Sequence, residues 1–162
     1  MASAGVGPRE MRWVGRWMYA LKPGSWPKLL VPALLGQILG ITLVEGGPSW
    51  TALALGAAFT VADLTFIVLM NDWGDQAVDR VKRELFPDGC SPKTIPDGIL
   101  SARAVLMVGI AAGLMTLSIS ALGELYLPRP GLFGFGLVCV GMFVAYSLPP
   151  FALNYRGGGE LL

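Results

Sequence analysis

The sequence predicts an all-α membrane protein with about four transmembrane helices arranged as antiparallel hairpins. Three observations carry this expectation. Of 162 residues, 54% are hydrophobic and 14% charged, with a mean hydropathy of +0.60; charged residues make up about a quarter of an ordinary soluble domain. Four stretches approach the roughly 20 apolar residues that a helix needs to cross a bilayer. Basic residues collect on one side of those stretches, as the positive-inside rule requires of cytoplasmic segments.

Residues 1–25 form a cytoplasmic, interfacial segment. Arg12 and Arg16 stand four apart, as do Trp13 and Trp17, which gives a short amphipathic helix lying at the membrane surface. Arginines interleaved with the apolar residues exclude a secretory signal. Residues 26–162 form the transmembrane region. Its spans are about 26–44, 49–70 (interrupted only by Asp63), 104–123 and 131–151. Gly46-Gly47-Pro48 and Pro128-Arg129-Pro130 break the chain between neighbours. Gly36–Gly40 and Gly109–Gly113 have the GxxxG spacing that lets membrane helices approach closely.

Arg9, Arg12, Arg16, Lys22 and Lys28 surround the entry to the first span. Arg80, Lys82, Arg83, Lys93 and Arg103 lie between the second and third, and Arg156 follows the fourth. Only Arg129 falls in a loop on the other side. The expected product is a multi-pass integral membrane protein, of the bacterial inner membrane, with its N-terminus and residues 71–103 in the cytoplasm. A net charge of +1 gives no reason to expect nucleic acid. The chain has no histidine, and Cys90 and Cys139 are too far apart for a CxxC site.

The sequence NDWGDQAVD, residues 71–79, is the chemical focus. Asp72, Asp75 and Asp79 are three and four apart, so one helix would carry them on one face. One carboxylate at the bilayer centre costs about 2.5–3.5 kcal/mol even on lenient scales, so three would cost roughly 10. A divalent cation relieves both burial and mutual repulsion. Oxygen ligands suit Mg²⁺, which is usually completed by substrate phosphates. The cluster therefore predicts a phosphate-bearing partner docked through metal, with Asp72, Asp75 and Asp79 as ligands and Asn71 beside them. Lys93 and one of Arg80, Lys82 or Arg83 could contact the phosphate. Asp63, deeper in the second span, is either functional or a buried hydrogen-bonding residue.

This pattern resembles the first aspartate-rich motif, Asn-Asp-x-x-Asp-x-x-x-Asp, of the UbiA superfamily of intramembrane prenyltransferases. Lys22-Pro23 followed by Ser25-Trp26-Pro27 and Leu34-Leu35-Gly36 resembles that family's entry into its first helix. SPKTIPDGILS, residues 91–101, resembles its loop between helices two and three, with Lys93, Thr94 and Asp97 at the Arg, Pro and Ser positions. YSLPPFALNYRGGGE, residues 146–160, resembles the exit of the fourth helix in quinone-type branches, its second half the dihydroxynaphthoate branch.

The resemblance implies the N-terminal half of a nine-helix bundle around a lipid-facing cavity. It also implies Mg²⁺-dependent transfer of a polyprenyl group from a prenyl diphosphate to a lipophilic aromatic acceptor. The site would comprise Asn71, Asp72, Asp75 and Asp79, with Lys93, Arg80, Lys82, Arg83, Tyr146 and Arg156 binding substrate. Phe66, Met70, Trp73, Phe143 and Tyr146 are candidates for the prenyl channel, and Arg156 and Glu160 for the acceptor. The family's second aspartate-rich motif does not occur before Leu162, so activity is expected to need the remaining half or a partner chain. The competing readings are a non-enzymatic membrane protein, such as a transporter segment with a cation site, and an inactive half-protein needing a partner.

Overall fold

The computed structural model describes residues 11–42, 49–87, 89, 91, 93–127 and 129–157. Arg9, the 46–48 break, Cys90, Pro128 and Glu160 lie outside the described residues. Among those described, helix is the regular structure, with no strand. The elements are α1 (Trp13–Leu21), α2 (Pro27–Thr42), α3 (Trp50–Gly74), α4 (Gln76–Leu85), α5 (Ala102–Tyr126) and α6 (Leu132–Ser147). Two 3-10 turns, Pro23–Ser25 and Leu153–Tyr155, follow α1 and α6.

Two helices, α3 and α5, are long and apolar enough to cross a membrane, with 25 residues each. The other two expected spans are apolar but shorter. Both α2 and α6 have 16 residues, about 24 Å at 1.5 Å per residue, against roughly 30 Å of hydrocarbon. The expected fourth span therefore stops early, at Ser147. Leu148 and then Pro149 follow, and Leu148, the residue before proline, is pushed out of the helical region to φ −112° and ψ 145°.

The core lies where α3 meets α5. Helix α5 turns one stripe inward: Val105, Gly109, Ala112, Gly113, Thr116, Ser120 and Gly123 are buried. Its small residues set the spacing. A Cβ on Gly109 would lie 2.7 Å from Met70 Sδ, and one on Gly113 would lie 2.9 Å from Phe66 Cδ2. The two hydroxyls in the stripe return to their own helix, Thr116 Oγ1 to Ala112 O at 3.0 Å and Ser120 Oγ to Thr116 O at 2.9 Å. Neither leaves a polar group unpaired in an apolar interface. Helix α6 closes this core with Phe143, whose ring meets Phe66 edge-on at 5.2 Å, and the core continues into Leu148. Phe66, Met70, Trp73 and Phe143 thus pack against one another. Phe66 and Met70 are buried in this core, Trp73 and Phe143 are partly buried against it, and Tyr146 is exposed.

A second apolar cluster joins α1 to the bundle. Ala20, Leu69 and Val105 are buried at its centre, and Trp17, Leu21, Ile95 and Leu100 pack around them. The outer side of α1 stays apolar and open: Trp13, Val14 and Met18 are exposed, and Trp13 meets Trp17 edge-on at 6.3 Å.

Candidate functional site

Helix α3 ends at Gly74, and α4 starts at Gln76. Asp75 sits between them with φ −87° and ψ 2°, outside the helical region. The acidic motif is therefore interrupted at Asp75, although Asp75 N still donates to Asn71 O at 2.9 Å and Asp79 N to Asp75 O at 2.8 Å. Each carboxylate turns to a different partner.

Asp72 is buried in the last turn of α3. One of its oxygens accepts from Lys22 Nζ and the other from Thr94 Oγ1. Asp79 is equally buried on α4 and accepts from Lys93 Nζ at 2.6 Å. Asp75 accepts from Asn71 Nδ2 at 3.0 Å and from the Tyr155 hydroxyl at 2.5 Å. Burial and the hydrogen bond to Asp75, with the charges of Asp75 and Asp79 behind it, push the Tyr155 hydroxyl up from 10.0 to about 12.

Lys22 reaches Asp72 from an unusual backbone. It caps α1 in the left-handed region, φ 50° and ψ 55°, where residues other than glycine are uncommon. Its neighbour Pro23 opens the 3-10 turn that redirects the chain into α2.

The 93–101 loop covers this cluster. Thr94 is fully buried, and its carbonyl accepts from Ile99 N at 3.1 Å, folding the loop on itself. Gly98 allows the turn with φ 68°. Asp97 organises the loop from within: its Oδ2 accepts from Lys93 N at 3.0 Å, from Tyr19 Oη at 2.6 Å and from Arg83 Nη2 at 2.7 Å. Arg83 Nε adds a bond to Asp97 Oδ1 at 2.7 Å, the forked pairing that suits a guanidinium. The loop is thus tied to α1 through Tyr19, to α4 through Arg83 and Lys93, and to α3 through Thr94.

The pH response follows from these contacts. Burial acts to raise the Asp97 carboxyl, but bonds from Arg83, Tyr19 and the Lys93 amide win and hold it below its ordinary 3.8. A lowered folded pKa stabilises above the unfolded value and is lost as pH falls through the folded one. Tyr19 runs the other way. Burial and its bond to Asp97 raise it from 10.0 to about 12, so its contribution is complete below 10 and fades as pH climbs to about 12. Limited proteolysis of the 86–101 loop should accordingly accelerate at both extremes. Cleavage that stays constant through the carboxylate range would contradict the Asp97 anchor.

Of the expected substrate-binding residues, Lys93 and Arg83 belong to this network. Arg80, Lys82 and Arg156 are exposed and form no ion pair among the described residues. Asp63 is half-buried on α3, half a turn around the helix from Asp72, and lies within electrostatic reach of Cys139 on α6.

Lys22, Tyr19, Thr94, Asp97 and Tyr155 had no assigned role in the site on sequence grounds. Their positions carried a hint in Lys22-Pro23, in the 91–101 segment and, for Tyr155, in the 146–160 segment, and Tyr19 carried none.

The fit of a divalent ion can be judged from the donor set. Among the described residues no three acidic or cysteine side chains converge as a metal cage. Both oxygens of Asp72 and both of Asp75 already accept hydrogen bonds. The three-carboxylate ligation expected from the motif is therefore not assembled. Asp79 keeps one oxygen outside the described hydrogen bonds. That fits an ion held by a single carboxylate and completed by oxygens from a ligand. Comparison with protein-family models, curated proteins and solved structures finds no match to this chain.

Proposed function

We propose that the acid cluster under the 93–101 loop is the diphosphate-binding part of a membrane prenyltransferase, acting on a prenyl diphosphate and a lipophilic aromatic acceptor. The observation that carries the reading is the pair of near-buried lysines, Lys22 and Lys93, held on buried Asp72 and Asp79 at the end of an apolar helix. Their side chains are 20% and 11% exposed, against 4% and 5% for the aspartates. Desolvated ammonium groups at the mouth of an apolar bundle suit a ligand with a multiply charged head and a greasy tail.

In the transfer the allylic C–O bond breaks, the diphosphate leaves with the electron pair, the acceptor ring forms a C–C bond to the carbocation, and the displaced ring proton passes to the released diphosphate. The lysines would bind the departing oxygens, since ammonium is a competent point-charge ligand for phosphate. The aspartates would hold those lysines in place before the ligand arrives. Thr94 and Asp97 would keep the loop over the head group and exclude water. Asp79 would hold a Mg²⁺ entering with the substrate, and such an ion supplies further charge to the leaving group. The proposed setting is a multi-pass membrane protein with this cluster on the cytoplasmic side, its cavity completed by further chain or a partner.

The test is equilibrium binding of a non-ionising farnesyl thiodiphosphate to the protein in micelles. Lys93→Met should weaken binding at least about tenfold, since hydrogen bonds to charged groups contribute about 1.5–3 kcal/mol. Asp79→Asn should remove any Mg²⁺ dependence. Affinity untouched by both substitutions, with helical content intact, would overturn the reading.

A further inference from the structure

Away from the acid cluster, at the start of α3, helices α2 and α3 do not close on one another. A cavity of about 690 Å³ opens between them and runs to the segment before α6. That volume lies within the range of ligand sites. The α2 wall includes Gly36, Gln37 and Gly40. A Cβ on Gly36 or Gly40 would meet no atom within 4 Å, so no described helix stands against these glycines. Phe59 and Phe135, ring centroids 6.4 Å apart, make the apolar side.

Four polar side chains line this space, and two of them, Ser49 and Thr60, spend their hydroxyls on the α3 backbone. Gln37 is half-buried, with Nε2 3.2 Å from where a Cβ on Gly56 would stand. Its amide makes no hydrogen bond among the described residues. Arg129 lines the cavity, is exposed, and forms no ion pair among the described residues. Glu124, in the same hairpin, is occupied in accepting from Phe133 N at 2.8 Å.

We propose that this groove binds one anionic phospholipid, with an acyl chain between α2 and α3 and its phosphate on Arg129. An arginine fork matches phosphate geometry. The Gln37 amide, about five residues or 8 Å below the end of α2, is placed to donate to a glycerol-ester carbonyl beneath the head group. A helix is the poorer occupant. At about 10 Å across, 690 Å³ holds only about 9 Å of it, under two turns, and an apolar helix would leave Arg129 unanswered. This inference needs the bundle to sit in a bilayer, and it does not depend on prenyl transfer.

The test is native mass spectrometry of the purified full chain, titrated with phosphatidylglycerol or phosphatidylcholine of matched acyl chains. One phosphatidylglycerol should be retained at about fivefold lower concentration than phosphatidylcholine, the preference expected of one arginine near an anionic lipid. Arg129→Gln should abolish that preference, and Gly36→Leu should weaken both lipids. Equal retention of the two lipids by the wild type, or an unchanged preference in Arg129→Gln, overturns the proposal. So does a dimer that Gly36→Leu dissociates, which would give the groove to a second copy. The Arg129 change is on an exposed side chain, so that arm decides the matter even where the glycine variant fails to fold.

Discussion

Lys22→Met should cost about 3–5 kcal/mol of folding stability, the penalty for stranding one member of a buried ion pair. Asp72 is 4% exposed and would keep only the Thr94 hydroxyl as a donor, which cannot neutralise it. The pair as a whole is another matter. Removing both charges, as in Lys22→Met with Asp72→Asn, should recover most of the loss, because desolvation opposes the attraction of any buried pair. Lys22→Gly separates a further contribution. It loses the ammonium but relaxes the left-handed backbone at φ 50°, and should be less damaging than Lys22→Met by about 1 kcal/mol. Reversible unfolding in mixed micelles measures all three. A cost below about 1 kcal/mol for Lys22→Met, with no recovery in the double variant, would mean that the pair contributes only as surface pairs do.

Gly113→Leu should destabilise by at least about 1–3 kcal/mol, the range for overpacked cores. Its new Cβ would stand 2.9 Å from Phe66 Cδ2 and 3.1 Å from Cε2. The Phe66 ring is buried and packed edge-on against Phe143, which leaves it little room to yield. The helices α3 and α5 must then separate, which opens the contact with Met70 and Leu69 as well. Gly36→Leu and Gly141→Leu are the controls. Neither position has an atom within 4 Å of a built Cβ, so unfolding should move little. Equal melting of Gly113→Leu and Gly36→Leu would show that the α3–α5 contact does not govern stability.

The same two glycine pairs show how far spacing can be read. Gly36–Gly40 and Gly109–Gly113 are identical patterns in the chain. One pair stands in close contact with Met70 and Phe66 in the core, and the other borders a groove. A glycine permits close approach but does not supply the neighbour. What lies opposite depends on how far each helix runs and where its chain turns.

The carboxylates make the same point. Three acids at the end of an apolar helix could be seen in residues 71–79, and so could the need for positive charge nearby. Metal was the expected source, yet the protein supplies much of it from its own lysines. Lys22 lies 50 residues from Asp72 in the chain, and Tyr155 lies 80 from Asp75, so no local pattern could pair them. The break at Asp75 follows Gly74, a poor helix former, but the carboxylate spacing alone suited continuous helix.

Composition and period were enough to anticipate helix as the regular structure of the described residues, but they suggested about four spans, and that only two of the apolar helices are long enough for a membrane was decided by where the chain turns. Helical character follows from hydrophobicity and from backbone periodicity, which neighbours along the chain share. Tertiary structure alone decided which lysine meets which aspartate, that the aromatic residues form a core, and that α2 stands off from α3. Such outcomes depend on side chains brought together from distant positions, where geometry across the fold sets the interaction.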